Sequence, residues 1–134
     1  MEKKDIRLKS DSGSIRESSS MILKDLESCE IGEKTAFDIK LCVEEAVRNA
    51  IVHGNKSDPK RQVRMKYWLD DDALNIEIED EGAGFDHSAV DDPTKKENLL
   101  RNSGRGVFLI KKLMDNVEYN AKGNKIIIVK KIRR

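Results

Sequence analysis

The sequence has little that would make it a secreted, membrane-embedded or zinc-held protein. Its 134 residues include two cysteines, Cys29 and Cys42. Two thiols make neither a disulfide framework nor a metal-ligand spacing, and they read as the reduced thiols of a cytosolic protein. No apolar run approaches the ~18 residues needed to cross a bilayer. The opening Met1-Glu2-Lys3-Lys4-Asp5 leads into no signal-like apolar stretch. Uncompensated charge is missing too: 26 Lys and Arg against 25 Asp and Glu leave a formal net charge of +1. Nucleic-acid binders concentrate unbalanced basic residues, so the balance argues against such a partner. At 38% charged and 37% hydrophobic, the chain is polar for a domain that must bury roughly two-thirds of its unfolded surface. Its apolar residues must therefore be well placed. The length suits one domain, 1–134.

They are placed by two periods. Asp5 to Lys9 alternate, with Ile6 and Leu8 on one face, and read as a first strand. A helix follows over Ser14 to Cys29, with Ile15, Met21, Ile22, Leu23 and Leu26 as its apolar side. Gly32 marks a break. A long patterned helix then runs from Lys34 to His53 and is ended by Gly54-Asn55, a common C-terminal signal. After a Ser57-Asp58-Pro59 turn, Val63, Met65, Tyr67 and Leu69 share one face of a strand. Beyond Asp70-Asp71-Asp72, Leu74, Ile76 and Ile78 share one face of the next, so this hairpin has a buried and a wet side. Asp86 to Ser103 is polar and lacks a sustained apolar period, apart from one helical turn around Asn98 to Arg101. A loop that long in a small domain is functional or disordered. A last helix over Gly106 to Met114 precedes a hairpin of Val117–Ala121 with Lys125–Ile132. The sum is an α+β fold, a two-layer sandwich with a mixed, mostly antiparallel sheet and helices on one face.

Three segments hold polar residues where chemistry could sit. On the long helix, at ~100° per residue, Ile39, Val43, Ala46 and Ala50 make the core stripe. Arg48 falls on the far side, with Glu44 four residues before it in the order that favours a surface ion pair. Glu45, Asn49 and His53 step along the flank of the buried stripe. Such a row can reach a common ligand from a rigid helix, and it is also what an ordinary half-solvated flank looks like. In the strand Leu74–Ile78 the even positions face inward, and Asp80 continues that phase. A carboxylate pointed at a core needs a partner. It is followed by Gly82 and Gly84, which allow close backbone approach to a ligand; Asp80 could equally cap the following turn. Ser103-Gly104-Arg105-Gly106 opens a helix, where free backbone N–H groups favour an anion. It is neither a Walker A sequence nor a dinucleotide fingerprint, and a plain loop-to-helix junction would explain it as well.

Taken together and in this order, the three segments resemble the GHKL ATPase superfamily of gyrases, heat-shock chaperones, histidine kinases and mismatch-repair ATPases. Within it the likeness is closest to the small bacterial anti-sigma-factor serine kinases, over nearly the whole chain. Val43-Glu44-Glu45-Ala46-Val47-Arg48-Asn49-Ala50-Ile51-Val52-His53-Gly54 looks like the N box. Asp80-Glu81-Gly82-Ala83-Gly84-Phe85-Asp86 looks like the first glycine box, and Ser103-Gly104-Arg105-Gly106-Val107-Phe108-Leu109-Ile110 like the second. Asp92-Pro93-Thr94 and Glu97-Asn98-Leu99-Leu100 resemble the subgroup's ATP lid, here 86–103.

The resemblance implies a role for each residue. Glu45 would be the general base on the attacking hydroxyl, and Asn49 would coordinate a Mg²⁺ bridging the phosphates. Asp80 would accept from the adenine amino group, Gly82 and Gly84 would shape the nucleotide pocket, and Gly104 to Gly106 would cradle phosphate beside Ser103. Arg105 would meet the γ-phosphate or an incoming protein, or simply stay solvated. The implied activity is ATP-dependent serine/threonine phosphorylation of an anti-sigma-factor antagonist, combined with capture of a sigma factor. The implied assembly is a homodimer through the first strand and helix. An ATP-tuned interaction module without kinase activity and a stand-alone histidine-kinase-like domain are the alternatives. Retention of Glu45 speaks against the first. The second is disfavoured because no phosphoacceptor helix precedes the domain and the lid is short.

Overall fold

Strict alternation of β-branched and long apolar residues builds the sheet. The computed structural model describes residues 2–83 and 102–132. In chain order the elements are β1 (Lys4–Lys9), α1 (Ser12–Asp25), α2 (Glu33–Asn49), β2 (Gln62–Asp70), β3 (Ala73–Glu79), α3 (Asn102–Leu113), β4 (Asn116–Tyr119) and β5 (Lys125–Lys131). Their sheet runs β1-β2-β3-β5-β4. The two-layer α+β architecture is as expected, and all the described ladders are antiparallel. Gly84, the helical turn expected around Asn98 to Arg101 and nearly all of the lid lie outside the described residues. So do the side chains of Ser103 and Arg105.

Register turns the alternation into apolar rows. Ile6, Met65, Ile78, Ile126 and Tyr119 stand opposite one another across the five strands. Tyr67, Ile76, Ile128 and Val117 form the next row. Against these rows α2 packs Ile39, Cys42, Val43, Ala46 and Val47, all buried, and burying each large apolar side chain contributes roughly 1.5–3 kcal/mol. The other sheet face is wet and carries exposed ion pairs such as Arg64–Asp5 at 2.7 Å, which add little to stability. Among the described residues no helix is long and apolar enough to cross a membrane.

Helix α1 starts earlier than its apolar pattern suggests, because Asp11 accepts from the Ser14 amide at 3.1 Å as an N-cap. It also ends earlier, at Asp25. Its buried face is only partly apolar: Ser14, Ser18 and Ser19 are buried beside Ile22. The buried hydroxyls are hydrogen-bonded, Ser18 to the Ile15 carbonyl at 2.7 Å and Ser19 to Glu44 Oε2 at 2.6 Å. Small side chains let α1 lie close on α2, and their hydroxyls find acceptors at once.

The end of α2 departs most from expectation. Beyond Asn49 the helix widens into a π-helical turn, Ala50–Gly54, and the Asn55 amide bonds the Ala50 carbonyl five residues back at 2.8 Å. The residues with left-handed backbone are Lys56 and Ser57, not Gly54 or Asn55. Gly54 therefore does not serve as the helix-ending glycine. Asn55 is wholly buried and its side chain is fully used. Nδ2 donates to Ser10 Oγ at 3.0 Å and to the Gln62 carbonyl at 3.1 Å, while Oδ1 accepts from the Glu81 amide at 2.7 Å. One amide thus ties the ends of β1 and α2, the start of β2 and the segment after β3.

Asn55→Ala should destabilise the protein by ~3 kcal/mol in urea unfolding, because each buried group left without a partner costs ~1–3 kcal/mol. Asn55→Asp should also destabilise, since a carboxylate keeps the acceptor and loses both donors. Wild-type unfolding midpoints for both variants would show that the amide does not hold these segments.

Candidate active site

The flank of α2 carries the row expected from the sequence. Glu45, Asn49 and His53 are all half-buried, with His53 in the widened turn. Ala46 and Ala50, on the buried stripe between them, keep the row close to the sheet. The ion-pair expectation needs correction. Glu44 does not face solvent toward Arg48; it accepts from Ser19 at 2.6 Å and Lys40 at 3.0 Å, against α1. Arg48 pairs instead with Glu45, Nη1 to Oε1 at 2.7 Å. Lys40 on the same helix competes with Arg48 for Glu44, and Ser19 of α1 adds the bond that single-helix geometry could not foresee.

Asp80 sits where its inward phase places it. Its backbone is locked to the β4–β5 turn: the Asp80 amide donates to the Asn124 carbonyl at 2.9 Å, and Asn124 Nδ2 donates to the Asp80 carbonyl at 2.8 Å. Oδ1 accepts from the Gly82 amide at 2.7 Å. Burial pushes the Asp80 carboxyl above the usual range, against the lowering effects of the Gly82 N–H and of Lys122. The carboxylate lies directly on Gly54, where an added Cβ would overlap it. A Cβ on Gly82 would overlap the Gly54 carbonyl. The two glycines are thus required by contact, and this explains the widened turn: it brings Gly54 to the strand end.

The third segment meets the first. Helix α3 begins at Asn102, so Ser103, Gly104, Arg105 and Gly106 lie within its opening turns rather than ahead of it. Gly106 rests against the α2 row, and an added Cβ would stand 2.6 Å from Glu45 Oε2 and 3.2 Å from Asn49 Nδ2. Five of the singled-out residues, Glu45, Asn49, Asp80, Gly82 and Gly106, therefore belong to one junction of α2, α3 and the end of β3.

Two adjoining cavities open there. The smaller has apolar walls of Ala50, Ile78, Val107 and Ile126 and a single carboxylate, Asp80. The larger is lined by Glu45, Arg48, Val52, His53, Gly106 and Leu109. Asn49 lines both. The first presents one carboxylate among apolar walls; the second places a carboxylate and a cation beside the amide of Asn49. Among the described residues no three His, Cys, Asp or Glu side chains cluster to hold a metal. Asn49 offers one amide oxygen, and a Mg²⁺ held there would take its remaining oxygens from phosphates and water.

Sequence reasoning missed Asn55, Asn124 and the partner of Arg48. The two asparagines sit in segments that read as turns, where Asn is common for purely local reasons. Their long-range bonds leave no periodic trace.

An apolar cavity with one carboxylate thus lies beside a helix-borne carboxylate and amide, against a five-stranded antiparallel sheet. The profile of the histidine kinase-like ATPase domain matches residues 8–130, and the chain belongs to that family. It is 37% identical over 103 residues to the anti-sigma F factor of Oceanobacillus iheyensis, covering 72% of this chain and 70% of that one. To the serine-protein kinase RsbW of Staphylococcus epidermidis it is 35% identical over 105 residues, 72% of this chain and 66% of that one. Among solved structures, a Mycobacterium tuberculosis chain comprising RsbU and RsbW domains contains the same fold. That match has a TM-score of 0.69 at 17% identity, covering all of this chain and 33% of the other.

Asp80→Asn should separate stability from recognition. The carboxyl's raised value means that its ionised form is disfavoured in the folded state, a cost that sets in as pH rises from the ordinary carboxylate range through the raised one. At pH 7 the uncharged amide should therefore raise the melting temperature of the nucleotide-free protein while weakening ATP binding at least tenfold by calorimetry. Normal ATP affinity in this variant would remove Asp80 from the base pocket.

Proposed function

We propose that the protein is an ATP-dependent serine/threonine kinase and anti-sigma factor, which phosphorylates an antagonist protein and sequesters a sigma factor. The carrying observation is the α2 row against Gly106: Glu45 and Asn49, one turn apart, meet the same glycine of α3. The names of the relatives support the same reading.

In this reading the base of ATP enters the smaller cavity, with its amino group donating to Asp80 and Gly82 admitting close approach. Gly84 belongs to the same proposed nucleotide-binding set and lies outside the described residues. The opening turn of α3, with Ser103, Gly104, Arg105 and Gly106, takes the phosphates at a helix N-terminus. Asn49 would hold a Mg²⁺ together with phosphate oxygens, and the ion supplies charge neutralisation for the transferred group. Glu45 accepts the proton of the acceptor hydroxyl. The hydroxyl oxygen bonds to the γ-phosphorus, the bond to the bridging oxygen breaks, and ADP leaves with that electron pair. Glu44 cannot take this part, because Ser19 and Lys40 hold it against α1. Residues 86–103 act as the lid, and a cytoplasmic location goes with a sigma-factor partner.

Proteins recovered with this chain from its own cells, incubated with γ-labelled ATP and Mg²⁺, test the reading. Label should pass to a Ser or Thr of one partner and require Mg²⁺. Glu45→Gln should slow transfer by ~10²–10⁴ while leaving ATP binding intact, and Glu44→Gln should change little. Wild-type transfer by Glu45→Gln would end the mechanism. Absence of transfer by the wild type would leave an ATP-tuned binding module.

We also propose a homodimer. β1 is an edge strand of the sheet, and an unpaired edge is a surface that a second copy can use. Light scattering at micromolar concentration should give twice the chain mass; the mass of one chain would withdraw the dimer.

A further inference from the structure

The two oxygens of Glu45 have different surroundings. Oε1 accepts from Arg48 Nη1 at 2.7 Å, an i,i+3 pair along α2. Oε2 faces Gly106 at a spot where a side chain would fill the space, 2.6 Å from an added Cβ. Both residues line the larger cavity, next to Asn49. Glu44, the other carboxylate within reach of Arg48, is engaged by Ser19 and Lys40. Arg48 is half exposed, and a pair so placed contributes little to folding. Its effect is geometric. A guanidinium donates in a fixed plane and holds a carboxylate in one orientation.

We infer that Arg48 is a positioning residue for the base: it occupies Oε1 and so assigns proton acceptance to Oε2. The inference rests on the reading of Glu45 as general base. A carboxylate on a free side chain samples several rotamers, and small misplacements of a reacting group cost up to ~10²-fold in rate. With Oε1 held, the remaining oxygen stays beside Gly106 and the Asn49 amide. In the transfer step the hydroxyl proton passes to Oε2, the Arg48–Oε1 bond persists, and the hydroxyl oxygen takes the phosphoryl group from ATP. Arg48 touches no reacting atom. Its influence passes entirely through Glu45.

A cycle of variants in the full chain tests this. The acceptor is the partner protein labelled in the transfer assay above, and the probe is Mg²⁺ with γ-labelled ATP under single-turnover conditions. Arg48→Met keeps an unbranched stem and removes the guanidinium; it should slow transfer by about 10- to 100-fold, with ATP affinity by calorimetry unchanged within about twofold. Arg48→Lys, which keeps the charge and loses the plane, should recover part of the rate. The decisive comparison is the double variant: Glu45→Gln with Arg48→Met should be no slower than Glu45→Gln alone, because a residue acting through another has no effect once that other is gone. Additive losses would overturn the inference, as would wild-type transfer by Arg48→Met. Weaker ATP binding matching the loss of rate would make Arg48 a phosphate contact instead. Wild-type transfer by Glu45→Gln would be a different failure, removing the base assignment itself and this inference with it.

Discussion

The geometry of this site hangs on one buried amide. Asn55 has no exposed surface, and both amide hydrogens and the carbonyl oxygen of its side chain bond different segments of chain. Its acceptor holds the Glu81 amide, so the residues on either side, Asp80 and Gly82, are fixed relative to the end of α2. Its donors hold Ser10 and Gln62, fixing that helix end to β1 and β2. In a low-dielectric interior such a network is satisfied as a whole or fails as a whole. The site's two halves, one on a helix and one after a strand, are kept in register by a residue that lines neither cavity.

Close approach is the second constraint. Gly54 meets the Asp80 carboxylate, Gly82 meets the Gly54 carbonyl, and Gly106 meets Glu45 and Asn49. Each contact joins two elements far apart in sequence, and each would be broken by one methyl group. The widening of the last α2 turn fits the same pattern, since π turns shift a helix end without breaking it and recur where function needs an irregular fit. Asp80 shows what this arrangement costs. A carboxylate that burial drives toward its neutral form is a poor choice for stability, and it is kept beside an apolar cavity where an amino donor would satisfy it.

Much of this was legible before folding was considered. The alternation in Met65, Tyr67, Leu74, Ile76 and Ile78 assigned the buried sheet face, because a strand's side chains alternate by geometry alone. The phase carried on to Asp80 and placed a carboxylate inward. Helical spacing put Glu45, Asn49 and His53 on one flank. Where prediction slipped, a competing long-range contact was responsible. The apolar pattern of α1 missed its buried serines because their burial depends on α2. The Glu44–Arg48 pair is favourable on an isolated helix, yet Lys40 of the same helix takes Glu44, and Ser19 adds a bond once α1 packs there.

The sequence by itself determined the periods, the faces and the residue types: a two-layer α+β domain, a polar row on a helix flank, an inward carboxylate with glycines after it, and a glycine pair where a helix opens. These are local properties, set by backbone geometry and side-chain chemistry over a few residues. The tertiary structure alone decided which of those residues meet. It seated Gly54 on Asp80 and Gly106 on Glu45, spent Asn55 and Asn124 on long-range bonds, and brought Ser19 of α1 onto Glu44. Each of these depends on distances between elements, and those are fixed only when the core and its buried hydrogen bonds are satisfied together.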